Sequence, residues 1–353
     1  MKSQYIHAAR THLRSALAPC LLLVLAACQA PAATQPSSTA APAATSTAAA
    51  VAPIVIKYAH ASGAGHPSQY WGEKFAAAVD QKTNGRVKVQ IFPGGQLGQD
   101  PEVTQAILAG TVDMQNTGSA QLSQFVPESS VLELPYLFKN NDQFFKFQDN
   151  FVPTTIGPKF ETKGLKILGF ADIGISTITN SKRPLETPSD LKGLKIRVAP
   201  GQLLVELMKA FGATVVPMNY GEVYSALQQG VVDGEENPPG SVEFAKFYEV
   251  QKYMTLTSHQ YLTNPSVIGV KQFNSYAPDV QKALVDAGRE ATIATRAYVL
   301  DGRDQTIAGL KAKGMIVNTP KDLQPWIDAA LTIYPKFTDV APPDLVKQIQ
   351  AIQ

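Results

Sequence analysis

The chain has 353 residues and carries 31 Lys and Arg residues against 29 Asp and Glu residues, a formal net charge of +2. Three of the basic residues precede Cys28 and no acidic residue does, so the remainder carries 28 basic against 29 acidic residues. Such a balance provides no global field to hold nucleic acid or an anionic lipid surface, so any anion must be bound by a local site.

The N-terminal segment is typical of a bacterial signal peptide. Basic residues precede an uncharged apolar run, 15–27, which is too short to span a bilayer as a helix. Small residues directly before Cys28, with Leu25 before those, resemble a lipobox, which implies cleavage before Cys28 and a diacylglyceryl group on its sulfur. The alternative is an ordinary secretory signal with an incidental cysteine. We predict a lipoprotein signal peptide at 1–27 and an extracytoplasmic protein that is lipid-anchored at Cys28.

Residues 28–53 consist almost wholly of Ala, Pro, Ser and Thr. Such a tract cannot bury enough apolar surface to offset the entropy lost on ordering, so we predict a disordered tether that holds a globular body off a membrane. The body that follows is about 300 residues long, which exceeds one typical core and suits two lobes.

From residue 54 onward, predicted strands and helices alternate. Apolar and alternating runs predict strands, and apolar residues at helical spacing predict helices. The predicted strands are 54–58, 86–92, 111–114, 194–198, 213–216 and 231–233. The predicted helices are 68–80, 101–108, 203–210 and 221–229. This alternation favours an α/β architecture with parallel sheets, whose ligands lie beyond the carboxyl ends of the strands, in a cleft between two such halves.

Residues 277–313 are predicted to form one long helix or two helices joined end to end. Val280, Leu284 and Ala291 belong to one apolar stripe, and Pro278 lies near the start. At ~1.5 Å per residue, one helix would extend ~50 Å and brace both lobes. A kinked pair of surface helices inside one lobe is the alternative that periodicity leaves open.

Catalytic motifs are missing from the sequence: it contains no nucleophile elbow, Walker loop, zinc-protease helix motif or dinucleotide glycine motif. After cleavage, Cys28 would be the only cysteine, and lipidation would consume its thiol. His60, His66 and His259 would be the only histidines, and they show no ligand spacing. We therefore predict a protein that is not an enzyme and holds no cofactor and no resident metal.

Several motifs, spread from residue 92 onward, are the most specific signal in the chain. They are 92–98 (FPGGQLG), 134–136 (LPY), 191–198 (LKGLKIRV), 216–218 (VPM), 222–238 (EVYSALQQGVVDGEENP), 247–253 (FYEVQKY) and 258–259 (SH). Together they resemble the extracytoplasmic solute-binding subunits of TRAP transporters, the DctP-type family. The resemblance covers nearly everything from Ile54 to the C-terminus.

The resemblance implies a two-lobed α/β fold like that of periplasmic binding proteins, with a long helix bracing both lobes. Lobe one would comprise 54–173 plus 263–302, and lobe two 174–262 plus 303–353. The implied function is to capture a small organic acid, a mono- or dicarboxylate, between the lobes. The implied partners are the membrane permease subunits of a TRAP transporter, to which the acid would be delivered.

The resemblance also implies that Arg197 binds the carboxylate of the ligand. From the residues alone, Arg197 would be a solvated residue on an edge strand, because Lys195 shares its face. A guanidinium has paired donors that match both oxygens of a carboxylate, and the charge-assisted pair is stronger inside a closed cleft. Asn237 matches an amide that helps to hold the same carboxylate, and Tyr220 matches an aromatic residue that lines the pocket. The alternatives are a turn position for Asn237 and a core position for Tyr220.

Further binding residues are implied on both sides of the cleft. Glu236 and His259 match positions near the hinge, where a polar network would couple closure to occupancy. For His259, a satisfied core position is the alternative. A calcium-assisted site that uses acids such as Glu236 also stays open. Lobe one is predicted to supply further ligand contacts. These are His60, Gln69, Gln115 and Ser119.

The chain departs from the sialic-acid-binding relatives. They place a second arginine within the stretch that matches 174–179, an acidic residue where this chain has Gly118, and an asparagine where it has Pro200. A sugar acid would lose these partners, and each buried polar group left unpaired costs ~1–3 kcal/mol. We therefore predict a smaller or more apolar acid. Two rival functions are a binding protein that serves a sensor and, less favoured, a membrane-tethered hydrolase or lyase.

Overall fold

The computed structural model describes residues 52–353, which lie within a single compact unit. The predicted signal peptide at 1–27, the lipidation site Cys28 and the predicted tether up to residue 51 lie outside the described residues. Within residues 52–353, none of the helices combines the length and the apolar character that crossing a bilayer requires.

Strands occur along most of the described region and form two sheets. In chain order they are β1 (Ile54–Ala59), β2 (Val87–Phe92), β3 (Met114–Asn116), β4 (Leu165–Ile175), β5 (Thr177–Asn180), β6 (Lys195–Val198), β7 (Thr214–Pro217), β8 (Gly234–Asn237), β9 (Tyr253–Thr255), β10 (Tyr261–Gly269) and β11 (Ile316–Asn318). The strand order is β2-β1-β3-β10-β4 in the first sheet and β11-β9-β5-β8-β6-β7 in the second. We call the first sheet and the elements packed around it the first lobe, and the second sheet and the elements packed around it the second lobe.

Helices cover the sheets and connect their strands. In chain order they are α1 (Pro67–Lys82), α2 (Asp100–Ala109), α3 (Ser119–Leu122), α4 (Asn141–Lys146), α5 (Gly157–Thr162), α6 (Gln202–Ala210), α7 (Val223–Gln228), α8 (Pro239–Phe244), α9 (Val270–Ser275), α10 (Pro278–Ala312), α11 (Gln324–Leu331) and α12 (Pro343–Gln350). A π-helical segment, Phe147–Ile156, joins α4 to α5.

Local signals explain where the helices that border the cleft begin and end. The side chain of His66 accepts a hydrogen bond from the backbone N–H of Ser68, and Pro67 occupies the first position of α1. At the start of α2, the Glu102 carboxylate accepts the backbone N–H of Gln99 at 2.9 Å. Gly110 ends α2 in a left-handed conformation with φ +80, which a residue with a side chain rarely adopts.

The sheets are mixed rather than purely parallel. β1 is parallel to β2 and β3, and β6 is parallel to β7 and β8, as the alternation of strands and helices predicts. β10, however, is antiparallel to β3 and β4, and β5 is antiparallel to β8 and β9. The antiparallel pairs arise because these strands pass from one lobe to the other without a crossover helix.

The chain crosses between the lobes on neighbouring strands. β4 of the first sheet ends at Ile175 and β5 of the second begins at Thr177, so that Ser176 alone separates them. On the return, β9 of the second sheet precedes β10 of the first. The 35-residue helix α10 packs against α1 and β4 of the first lobe and against α8 and β11 of the second. One continuous helix therefore braces both lobes.

The predicted strand at 231–233 is wrong. Val231 is 49% exposed and follows Gly230, whose φ of +69 belongs to a turn. The strand β8 instead consists of Gly234–Asn237, which is buried at every position. A run of β-branched residues predicts a strand by propensity, but the buried segment here carries mainly carboxyl and amide side chains because it lies at the cleft.

Candidate ligand-binding site

A cavity that opens to solvent lies between the two lobes. The second lobe contributes Arg197, Tyr220, Glu236 and Asn237 to its polar lining. The first lobe contributes His66, Asp100, Asn116, Thr117, Gln121 and Glu133. Most of these residues end or follow the strands β1, β3, β6 and β8, so the cavity lies at carboxyl ends of strands, as the α/β reading predicts.

Arg197 is buried on an interior strand. β6 pairs with β7 on one side and with β8 on the other, so the edge-strand reading is wrong. The residue is 2% exposed, whereas Lys195 on the same face is exposed. Its Nε and Nη2 donate to the carbonyl oxygen of Met218 at 2.9 and 2.7 Å. Within residues 52–353, Nη1 donates to no protein atom, so part of the guanidinium is available to a ligand.

Glu235 connects the side chains of the second-lobe wall. It lies beside Arg197 in the register of β6 and β8. Its carboxylate accepts hydrogen bonds from Thr179 Oγ1 at 2.9 Å and from Asn237 Nδ2 at 2.5 Å. Burial raises the pKa of Glu235 to about 7, against the opposing effects of the Asn237 hydrogen bond and the Arg197 charge. Asn237, the predicted ligand amide, is thus oriented by an acid on its own strand.

Two acids of the first lobe face the same cavity. Glu133 is 1% exposed, and its burial raises the pKa of the carboxyl to about 8, with a further contribution from the charge of Glu236. Asp100 begins α2, and burial raises the pKa of its carboxyl to about 6 against a hydrogen bond from Thr117. The cavity is therefore lined by carboxyl groups that hold their protons more tightly than free acids do.

We expect the free energy of unfolding of the ligand-free protein to fall between pH 6.5 and pH 8.5. Glu133 and Glu235 have pKa values of about 8 and about 7 in the folded protein, against ~4.3 for an unfolded Glu. The folded state binds more protons in this window, so the stability present at lower pH is lost as the pH rises through the folded pKa values. Burial lowers the pKa of His66 to about 3, so near pH ~6.5 only the unfolded state still binds a proton on His66, and this effect opposes the trend more weakly than the two acids drive it.

The expected loss is ~2 kcal/mol, measured by urea unfolding at the two pH values. Glu133→Gln removes one of the two titrating groups, so its stability should depend less steeply on pH. Equal slopes for the wild type and this variant would contradict the role assigned to Glu133.

The structure brings four of the predicted site residues together. Arg197, Tyr220, Glu236 and Asn237 all line the cavity. The ring of Tyr220 lies 6.1 Å from the ring of His66, which places this tyrosine at the boundary between the lobes rather than deep in a core. Asn237 ends β8 and is 6% exposed, so it is not a turn residue.

The four residues of the first lobe that were predicted to contact the ligand do not line the cavity. His60 Nε2 and Gln69 Oε1 lie 2.8 Å apart and bind each other. Gln115 Nε2 donates to Thr104 Oγ1, and Ser119 Oγ donates to the carbonyl of Thr263 at 3.2 Å. Each of these side chains has a hydrogen-bond partner inside the first lobe.

The polar lining of the first lobe includes residues that the sequence analysis missed. Asn116 and Thr117 follow Gln115 directly, so the prediction found the right segment but not the residues that line the cavity. His66 was identifiable as a helix N-cap, and Asp100 as the first residue of a helix, but neither position signals a ligand contact. This wall is more polar than the departures from the sialic-acid-binding relatives led us to expect, because its polar groups come from other positions.

Glu236, which lines the cavity, and His259 form a buried pair. Glu236 Oε2 and His259 Nε2 are 3.6 Å apart, which is longer than a hydrogen bond. The other ring nitrogen of His259 lies 2.7 Å from Thr257 Oγ1. Residues 253–259 lead from the second sheet towards β10, so this pair lies beside a crossing between the lobes. Within residues 52–353, no group of three or more His, Cys, Asp or Glu side chains is arranged to hold a metal ion.

The lobes touch at one side of the cavity. A Cβ on Gly201, which precedes α6 of the second lobe, would lie 2.7 Å from the Cβ of Ala120 and 2.9 Å from its Cα and O. Beside this contact, Gln124 Nε2 donates to the carbonyl of Pro200 at 3.0 Å. Close approach of the two backbones therefore requires the absence of a side chain at position 201.

Known proteins are similar to this chain in sequence and in fold. The family model for bacterial extracellular solute-binding proteins of family 7 (DctP) matches residues 58–339. The 2,3-diketo-L-gulonate-binding periplasmic protein of Escherichia coli K12 is 34% identical over 284 residues, which cover 80% of this chain and 87% of that protein.

Two solved TRAP periplasmic solute-binding proteins superpose closely on the described residues. The one from Polaromonas sp. JS666, bound to D-erythronate, has a TM-score of 0.82 and 31% identity, and the match covers 85% of this chain and 99% of that chain. The one from Sulfurospirillum deleyianum, with bound succinate, has a TM-score of 0.80 and 31% identity, and covers 86% and 100%. This chain therefore belongs to the bacterial extracellular solute-binding proteins of family 7, the DctP-type solute-binding subunits of TRAP transporters.

Proposed function

We propose that this protein captures a small organic acid between its lobes, and that Arg197 binds the carboxylate of that acid. The observation that carries the proposal is the buried guanidinium at the cavity, whose Nη1 lacks a partner within the described residues. A buried cation is costly unless it is paired, and a carboxylate both neutralises it and accepts its hydrogen bonds. Asn237 and Tyr220 complete the wall around that carboxylate. The relatives solved with D-erythronate and succinate hold acids of this class.

The proposed mechanism is capture without chemical change of the ligand. An acid that contacts both walls binds the closed arrangement better than an open one, and it shifts the equilibrium of the lobes by that difference in affinity. We propose that the lobes rotate about the crossing at Ser176, beside the pair of Glu236 and His259, because the first sheet passes into the second there. We assign no catalytic residue.

We further propose that the closed form delivers the acid to the membrane permease of a TRAP transporter, and that the protein is lipid-anchored at Cys28. Family membership supports the permease, and the lipobox-like sequence supports the anchor. Replacing Cys28 by Ser should release the protein from the membrane fraction of the cell. Recovery of that variant in the membrane fraction would count against the anchor.

The rival functions differ in what they require. A sensor would be contacted by the closed form in place of a permease, and deletion of the permease genes would then leave acid uptake unchanged. A hydrolase or lyase would consume the bound acid. If the acid is recovered unchanged after incubation with the protein, this enzymatic rival is excluded. The lining of this cavity favours neither rival.

A thermal-shift screen of residues 52–353 against organic acids tests the proposed function. Binding to the folded state raises the melting temperature by mass action, so one plate covers the class. The panel includes mono- and dicarboxylates, each with and without calcium, and the matching alcohols as controls without a carboxylate. A shift with acids and none with alcohols would support the proposal. No shift with any acid, from a folded and ligand-free protein, would contradict it.

Replacement of Gly201 by Ala should weaken binding without unfolding the protein. Gly201 has φ −157, an extended conformation that alanine adopts freely, so the new methyl group acts only through its clash with Ala120. Overpacking of this kind costs ~1–3 kcal/mol, so we expect a loss of affinity of about tenfold in calorimetric titration. Gly63→Ala is the matched control, because nothing lies within 4 Å of a Cβ there. Equal affinities for the two variants would show that closure does not depend on this contact.

A further inference from the structure

Buried polar atoms of the cavity lining have no hydrogen-bond partner within the described residues. They are Asn116 Oδ1, Gln121 Oε1 and Glu133 Oε1. A buried polar atom without a partner costs free energy, so natural proteins rarely leave several of them together. The cluster therefore indicates where polar groups of a ligand arrive.

The amide of Asn116 shows which chemistry this wall requires. Its Nδ2 donates to the carbonyl oxygen of Asn264 and to Ser266 Oγ, both at 2.8 Å. These bonds leave Oδ1 as the atom without a partner, and an amide oxygen accepts hydrogen bonds but cannot donate them. The matching group on a ligand is a hydrogen-bond donor, such as a hydroxyl.

Glu133 is the least expected member of the cluster. It is 1% exposed, and its neighbours Leu132 and Leu134 are buried apolar residues. A carboxyl group in such a segment is costly when one of its oxygens has no partner. Burial raises its pKa to about 8 against the effect of hydrogen bonds from Ser119 and Ala120, so at pH 7 the group is mainly neutral and gives an ammonium little charge to bind. A neutral carboxyl can both accept a hydrogen bond from a hydroxyl and donate one to it.

The charged residues that line the cavity suit a ligand with one carboxylate and not a ligand with two. Among the described residues that line the cavity, Arg197 is the permanently charged cation, and Asp100, Glu133 and Glu236 are acids. His66 also lines it, but burial lowers its pKa to about 3 and leaves the ring neutral. A first carboxylate on the ligand pairs with the guanidinium. A second would lie among carboxyl groups with no cation to pair with.

We propose that Glu133, with the acceptor atoms of Asn116 and Gln121 beside it, selects a monocarboxylate that carries hydroxyl groups on the carbons remote from its carboxylate. This inference rests on the proposed function and narrows its ligand class, since a dicarboxylate is disfavoured. A site built to hydrogen-bond a hydroxyl discriminates strongly against an analogue without it, because its own polar groups are then left unpaired.

A series of four-carbon acids tests the selection on the wild-type protein. D-Erythronate has one carboxylate and several hydroxyls, butyrate has the carboxylate alone, succinate has a second carboxylate, and 4-aminobutyrate has an ammonium. In calorimetric titration of residues 52–353 at pH 7, we expect D-erythronate to bind at least about tenfold more tightly than the other acids. Succinate, butyrate or 4-aminobutyrate binding as tightly as D-erythronate would overturn the inference.

Two variants then test the part of Glu133. Glu133→Gln keeps the size and the hydrogen-bonding capacity of the side chain, so the preference for D-erythronate over butyrate should stay within about threefold of the wild type. Glu133→Leu removes the hydrogen bonds and should reduce that preference by about tenfold. Glu128→Gln, in the 3-10 helix Pro127–Glu133 that also contains Glu133, is the matched control because Glu128 lies outside the cavity lining. An unchanged preference in Glu133→Leu would overturn the role of this residue.

The experiments distinguish a failure of the proposed function from a failure of the selection by Glu133. If no acid of the panel binds, the proposed function itself is contradicted. If acids bind and Arg197→Ala abolishes binding, but hydroxyl groups bring no advantage, the function stands and the selection by Glu133 fails. Should Glu133→Leu not fold, the four-carbon series on the wild type decides the inference by itself.

Discussion

Replacing Arg197 by Ala should reduce the affinity for the bound acid at least ~100-fold, because the ligand carboxylate loses a buried charge-assisted pair. The guanidinium is 2% exposed, so water cannot take over its role at the ligand. The measurement is calorimetric titration of residues 52–353 with the acid that gives the largest thermal shift.

Two further variants separate charge and geometry from general damage. Arg197→Lys keeps the positive charge but loses the planar fork, so we expect an intermediate loss of affinity. Lys195→Ala lies on the same strand and the same face but is exposed, so it should leave the affinity within about twofold. Circular dichroism must show that Arg197→Ala is folded, since the carbonyl of Met218 loses its donors. A folded Arg197→Ala that binds as the wild type does would contradict the proposed function.

Elements with strong local signals were predictable from the sequence. The long helix is the clearest case: the predicted range 277–313 differs by one residue at each end from α10, Pro278–Ala312. Pro278 fits the first turn of a helix, and the apolar stripe is buried against the first sheet at Val280, Leu284 and Ala291. These signals involve only near neighbours in the chain, so they do not depend on how the lobes assemble.

The environment of a residue depended on strand order, which the local sequence does not contain. The edge-strand reading of Arg197 failed because β8, which is remote in sequence, pairs beside β6. In β3, all three residues are buried, so alternation could not show that Asn116 rather than Gln115 faces the cavity. Glu133 gave no signal at all, since an acid between leucines in a 3-10 helix has no diagnostic spacing. The resemblance to a family pointed to Arg197, Tyr220 and Asn237, which line the cavity, and physical reasoning from spacing alone did not.

Replacing Arg296 by Met should lower the free energy of unfolding by ~3–5 kcal/mol, because it leaves the buried carboxylate of Asp172 without its cation. Arg296 lies on α10, where Nε donates to Asp172 Oδ2 at 3.1 Å and Nη2 donates to Gln148 Oε1 at 2.8 Å. Asp172 is 4% exposed on β4 and also accepts the hydroxyl of Thr263 at 2.7 Å. The network thus joins the bracing helix to the strand that leads into the crossing between the lobes.

The matched control is Lys282→Met on the same helix. Lys282 pairs with Asp286, and their side chains are 75% and 42% exposed, so this change should cost at most ~0.5 kcal/mol. Urea unfolding of residues 52–353 measures both effects. Adding Asp172→Asn to Arg296→Met should recover part of the loss, because the remaining group is then polar and uncharged. Similar stabilities of Arg296→Met and Lys282→Met would mean that the crossing strand is held by its packing against α10, and not by this ion pair.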